Sequence, residues 1–307
     1  MAQPAELPEP APAPAPLALP LPAAVTPVAA PVWLCQHEAV VGLSHRTMQP
    51  PLPCQDAALA RTQTHPLVVV ADGAGSSAVS EIGAQAVVSG LARLLHTLER
   101  KVALLLDTPA TAQHEEQARA LALLLVKHAR GLLDDLAATH RRALRDFRCT
   151  LLLAIVGREQ LLWLKVGDGA LVLQRQEPGP EPKQPQAPQA APEAAHLRLQ
   201  VLGLAGKGEF ANQTQFLDDS LQPGDVQSAL VPVGGVVGVA VMSDGAAEKL
   251  VSHDGQRVAG QLGLWLDALR RDRLPRQTLT RGFYSDSFCS GSTGDDCSLA
   301  LLARTPG

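Results

Sequence analysis

Five apolar runs of strand length, each closed by turn residues, constrain this chain more than any other feature. They are "PLVVVAD" (66–72), "CTLLLAIV" (149–156), "LLWLKVGDG" (161–169), "GVVGVAVMSDG" (235–245) and "DDCSLALLA" (295–303). Runs this short and this rich in Val and Leu read as buried strands. No uninterrupted apolar run reaches the roughly 18 residues a bilayer span needs, so no membrane is expected. "EAVVGLSH" (38–45) and "ALVLQRQ" (170–176) add two more strands, and the runs from 149 to 176 read as consecutive antiparallel strands turning at "GREQ". Strands so apolar need covering. Ile82, Val87, Leu91, Leu94, Leu98, Val102 and Leu105 form one stripe of a long helix starting near Ser77, with Ser76 or Ser77 as its cap. After the break at "DTPAT" the pattern resumes through Leu121, Leu124, Leu125, Leu132, Leu136 and Leu144, which predicts an antiparallel pair of long helices. Leu262, Leu266 and Leu269 mark a further helix.

Proline marks the boundaries. Residues 1–31 hold 10 of the 25 prolines, and the stretch 177–195 holds another 6. The first is expected to be a disordered Pro/Ala-rich tail and the second an inserted loop between strands, leaving 32–307 as one domain. The tail lacks the cationic start of a secretion signal, since no Lys or Arg precedes Arg46. A net charge of −4 and a pI near 6.1 provide no basic stripe for nucleic acid. Five cysteines without a C-x-x-C pair suggest neither a disulfide framework nor a zinc site, and a reducing cytoplasm fits.

Asp72, Asp244, Asp295 and Asp296 stand at ends of these strands, and Asp56 lies in the loop before the Val-rich one. A lone Asp-Gly after a strand is ordinarily a turn or a cap. Several brought to one sheet edge are different, because two carboxylates about 4 Å apart repel by roughly 4 kcal/mol at an effective dielectric near 20. Such a cluster calls for cations, and all-oxygen ligands suit Mg²⁺ or Mn²⁺.

Taken in order, "CQDA", "VVVADGAGSSAVSEIGA", "CTLLLAIV", "VGDGALVLQR", "MSDGAAEKLV" and "GDDCSLALLA" resemble the motif series of the PP2C (PPM) metal-dependent serine/threonine protein phosphatases. "GLSH", "PPLPCQDA" and "GEFANQTQFL" look more like the compact bacterial branch. The resemblance implies an α+β fold, an antiparallel β-sandwich flanked by pairs of long antiparallel helices. It implies that Asp72 bridges two metals, that the Gly73 carbonyl binds one of them, that Asp244 and Asp295 complete the first, and that Asp56 holds a metal-bound water. Asp296 is then a hydrogen-bonding neighbour. Glu248 and Asp146 are the weaker candidates for a third ion.

Two positions depart from the family. Gln55 stands where the eukaryotic enzymes have Glu, and no arginine occupies the expected phosphate-binding position, leaving His45 or Arg46 to bind phosphate. The implied reaction is direct attack by a two-metal-activated water on phosphoserine or phosphothreonine in a protein, with no covalent intermediate. Partners would be a phosphoprotein, with a Ser/Thr kinase or its targets, and the chain would act as a monomer. The alternative is a pseudophosphatase scaffold that binds phosphoproteins or a kinase without turnover.

Overall fold

The structure, a computed structural model, describes residues 32–177, 196–204 and 214–306. The Pro-rich tail, all but the first residue of the Pro-rich insert, and most of "GEFANQTQFL" therefore lie outside the described residues. Ten strands are described: β1 (Trp33–Val40), β2 (Asp56–Arg61), β3 (Leu67–Asp72), β4 (Leu151–Val156), β5 (Gln160–Val166), β6 (Ala170–Glu177), β7 (His196–Leu202), β8 (Gln227–Pro232), β9 (Val236–Met242) and β10 (Cys297–Arg304). Eight helices accompany them: α1 (Leu43–Thr47), α2 (Ser80–Thr97), α3 (Glu99–Leu106), α4 (His114–His140), α5 (Asp244–Leu250), α6 (Gly260–Arg270), α7 (Thr278–Phe283) and α8 (Asp286–Cys289).

The strands form two five-stranded sheets, ordered β1-β10-β9-β6-β7 and β2-β3-β4-β5-β8, and every pairing is antiparallel. Period-2 alternation sorts their side chains into three apolar layers. Between the sheets lie Val68, Val70, Leu152, Ala154, Leu161 and Trp163, facing Leu171, Leu173, Val239, Val241, Ala300 and Leu302. The opposite faces of these strands carry Val69, Leu153 and Leu164 against Val87 and Leu91 of α2 and Leu121 and Leu125 of α4. On the other side Val172, Ala240 and Leu301 meet Leu262 and Leu266 of α6 and Phe283 of α7. Among the described residues no helix is long and apolar enough to cross a membrane.

Several elements differ from the sequence reading. The run from Ser77 to Leu105 is two helices, broken at Leu98, and the first starts at Ser80. Neither serine caps it: the Ser77 hydroxyl donates to the Arg145 carbonyl, and Ser76 accepts from Arg148. "GLSH" leaves the strand and turns into α1. Asp56 is not in a loop but opens β2, a strand whose Ala-rich sequence hid it. β4 and β5 pair as expected, whereas β6 belongs to the other sheet. The chain therefore crosses between sheets at Gly167–Gly169.

Candidate metal centre

The alternation that builds the inter-sheet core also builds the site. Along β3, Val68 and Val70 point between the sheets, and the next residue on that face is Asp72. On β2 the face of Ala58 and Ala60 begins with Asp56, which pairs directly with Asp72 across the strands. Ser243, two residues beyond Val241, and Ser298, two residues before Ala300, bring hydroxyls to the same end and lie beside the Asp56 carboxyl. The apolar layer thus terminates in a polar edge, and Asp244, the first residue of α5, and Asp295, just before β10, complete it.

These carboxyls crowd one another. Burial pushes the Asp56 carboxyl up to about 7, with Asp296 and Asp244 adding to the shift and the two serine hydroxyls opposing it. Burial also holds Asp72 well above the usual carboxylate range, helped by Asp56, Asp244 and Asp295. Asp244 is raised by burial and by Asp168, and shares a carboxyl-to-carboxyl hydrogen bond with Asp72. Gln55 Oε1, Asp56 Oδ2, Asp168 Oδ1 and Ser298 Oγ are buried nearby without a hydrogen-bond partner. Buried acceptors left without donors are costly, roughly 1–3 kcal/mol each. Carboxylate-rich surroundings of this kind fit hard divalent cations.

Asp296 is set apart from its neighbour. It is 2% exposed, and its Oδ1 accepts from the Gly42 N–H and its Oδ2 from the Gln55 N–H, both at 2.6 Å. His45, buried on α1, places Nδ1 3.0 Å from the same Oδ1. Asp295 is exposed, and its Oδ1 accepts the Asp296 N–H at 2.8 Å. His45, Asp295 and Asp296 can bring one donor atom each within 4.8 Å of one another. Arg46, one residue along, is exposed and lies over the Tyr284 ring, 5.3 Å from its centroid.

Glycine is required at two points of this edge. A Cβ on Gly73 would stand 2.7 Å from the Ser80 side chain and 2.8 Å from the Gln55 carbonyl oxygen, and one on Gly245 would stand 2.1 Å from the Asp296 carbonyl oxygen. Backbone approaches of this closeness exclude any side chain. The Gly73 N–H donates to the Gln55 carbonyl, so the residues on either side of the β2–β3 pair are locked together.

The third-ion candidates fare differently. Asp146 sits in a 3₁₀ turn before β4 and faces Arg142 at 3.8 Å, and the carboxylate acting on Asp244 is Asp168 instead. Asp168 is the residue that sequence reasoning missed. It lies in the "GDG" crossover, within the "VGDGALVLQR" motif, and like Asp72 and Asp244 is an Asp-Gly that follows an apolar strand. Its Oδ2 accepts from the Thr214 hydroxyl at 2.7 Å. Glu248 accepts from the Thr293 N–H and hydroxyl, and lines with Asp168, Asp244 and Asp295 a cavity of about 360 Å³.

A pH dependence follows for the metal-free protein. Asp56, Asp72 and Asp244 have folded-state values above the unfolded value of about 3.9. Their contribution to stability is whole below that value and is lost as pH rises through the folded-state values, about 7 for Asp56. With chelator present the melting temperature should therefore fall between about pH 5 and about pH 8, and added Mn²⁺ should raise it more at the higher pH. Thermal denaturation in both buffers checks this; a metal-free melting temperature that is flat or rising over the interval contradicts it.

The sequence family described as Protein phosphatase 2C matches residues 41–281. No curated protein matches the chain. Among solved structures the chain is similar to a serine-threonine phosphatase 2C from Toxoplasma gondii (14% identity, 91% of this chain and 97% of that one, TM-score 0.57). It is also similar to the catalytic domain of the serine threonine protein phosphatase PstP in complex with 2 manganese ions (14% identity, 90% and 100%, TM-score 0.53). A third is the serine/threonine phosphatase Stp1 from Staphylococcus aureus (14% identity, 89% and 95%, TM-score 0.51). At these identities the solved structures establish the fold, while the family match spans most of the chain: it belongs to the protein phosphatase 2C family of serine/threonine protein phosphatases.

Proposed function

We propose that this chain hydrolyses phosphoserine and phosphothreonine in proteins, using two divalent cations, Mn²⁺ or Mg²⁺, held by Asp56, Asp72, the Gly73 carbonyl, Asp244 and Asp295. The observation that carries the reading is the pair of buried oxygens without hydrogen-bond partners, Gln55 Oε1 and Asp56 Oδ2, beside the carboxyls that crowd Asp72. When bound, such a pair of ions supplies a water of lowered pKa and positive charge for the phosphoryl oxygens.

The chain's own residues do the rest. Asp72 pairs with Asp56 across β2 and β3 and stands close to Asp244, so its carboxylate would hold the ions together with both. Gln55 offers a neutral amide oxygen that orients a water without adding charge. His45 stands with Nδ1 3.0 Å from Asp296 Oδ1, and its ring would meet a phosphoryl oxygen or protonate the departing seryl or threonyl oxygen. Arg46, exposed over Tyr284, is available to the phosphate or to the peptide that bears it.

One observation favours a second reading, a scaffold that binds phosphoproteins without turnover: Gln55 is neutral where the eukaryotic relatives carry a carboxylate. A single assay separates the two. Purified protein should release phosphate from a small aryl phosphate and from phosphothreonine peptides with Mn²⁺ or Mg²⁺, and chelation by EDTA should abolish release. Absence of metal-dependent turnover under all conditions would leave the scaffold.

A further inference from the structure

Lys165 has no part in the mechanism above, yet its side chain is 1% exposed and stands at the same edge. On β5, Leu161 and Trp163 point between the sheets, so alternation sends Lys165 the same way, into the polar end of that layer. Its Nζ donates to the Leu204 carbonyl, 2.8 Å away and just beyond β7 of the other sheet. Leu204 N–H in turn donates to Gln227 Oε1, so this peptide group is gripped from both sides. An ammonium has three N–H donors, and Lys165 spends one on Leu204. It lines the cavity shared by Asp168, Asp244 and Asp295. Burial lowers its pKa to about 8 and Asp168 opposes the shift, so the amine carries its charge at neutral pH.

We infer that the Lys165 ammonium is the site's built-in cation, occupying in the charge balance the place of a further metal ion, so that two divalent ions complete the centre. This rests on the metal-site reading given under Proposed function. Asp56, Asp72, Asp168, Asp244 and Asp295 bring five negative charges when ionised, while Asp296 is already taken up by two backbone N–H groups and His45. Two divalent ions supply four positive charges, and Lys165 supplies the fifth. A further divalent ion would add charge beyond balance and would face an ammonium across a small, partly enclosed cavity, where repulsion is poorly screened. Asp168 lines the same cavity, and its negative charge favours the Lys165 ammonium.

The test counts ions. Full-length protein is titrated with Mn²⁺ and the free ion is read from its electron paramagnetic resonance signal. Wild type should bind two ions, Lys165→Met should bind a third in the same concentration range, and adding Asp168→Asn to Lys165→Met should remove it. Asp168→Asn alone should keep two, which tests the inference even if Lys165→Met fails to fold. Three ions on wild type, two on a folded Lys165→Met, or loss of an ion in Asp168→Asn alone would each overturn the inference while leaving the metal centre standing. Wild type that binds no Mn²⁺ would remove the metal centre itself, and this inference with it.

Discussion

Asp72→Asn is expected to lose metal-dependent phosphate release by more than about 100-fold, because residues that merely orient a metal ligand already cost 10–100-fold when changed. The same substitution should stabilise the metal-free protein. Asp72 is held against Asp56, Asp244 and Asp295, and replacing its carboxyl with a neutral amide removes one member of a mutually repelling set. At about pH 8 the gain should be about 1–3 kcal/mol, the scale of one carboxylate repulsion at an effective dielectric near 20 after allowance for partial exposure. Opposite signs in two assays distinguish a ligand from a structural cap. Phosphate release and thermal denaturation in chelator, run on the same preparation, read both; a variant that loses activity together with metal-free stability would mark Asp72 as structural.

The second large effect divides two adjacent residues. Asp295→Asn should reduce turnover by more than about 100-fold, by the same ligand argument, and leave the melting temperature within a few degrees. For Asp296→Asn the balance reverses. Its two oxygens each accept a backbone N–H, from Gly42 and from Gln55, so whichever way the amide is turned one N–H₂ group opposes an N–H donor. Leaving one buried donor unpaired costs about 1–3 kcal/mol, which lowers the melting temperature by several degrees in a chain of this size. Turnover of the folded Asp296→Asn fraction should stay within about tenfold, since the ligand oxygens are elsewhere. Rates across a Mn²⁺ titration, with melting curves alongside, check both. If Asp296→Asn is inactive but stable and Asp295→Asn is active, the assignment of the two carboxylates is the wrong way round.

Much of this arrangement was legible in the chain because apolar strands and polar ends are written in adjacent letters. Asp72 after "VVVA" and Asp244 after "VGVAVMS" were readable as edge carboxylates, since the same period that buries Val68, Val70 and Val241 leads to the site. Asp168 lies in the quoted "VGDGALVLQR" motif, but what it stands beside depends on the change of sheet between β5 and β6. Asp146 faces Arg142, four residues earlier in the chain, at 3.8 Å. Lys165 read as one polar letter in an apolar strand, and only the opposing sheet gives it a partner in Leu204. Local pattern specifies which face a residue takes; it does not specify what stands across from that face.

The pairing of β1 with β10 along their whole lengths, from Trp33 opposite Arg304 to Val40 opposite Cys297, has a kinetic consequence. Asp296 precedes β10 yet secures Gly42, His45 and Gln55, more than 240 residues earlier. Contacts of such long sequence separation carry a large loop-closure entropy and form late in folding. Until β10 docks, Gly42 and His45 have no Asp296 beside them and Asp295 has no fixed position. The Asp56–Asp72 pair can form within its own hairpin, but the complete set of carboxyls with His45 should come together only with the closing strand.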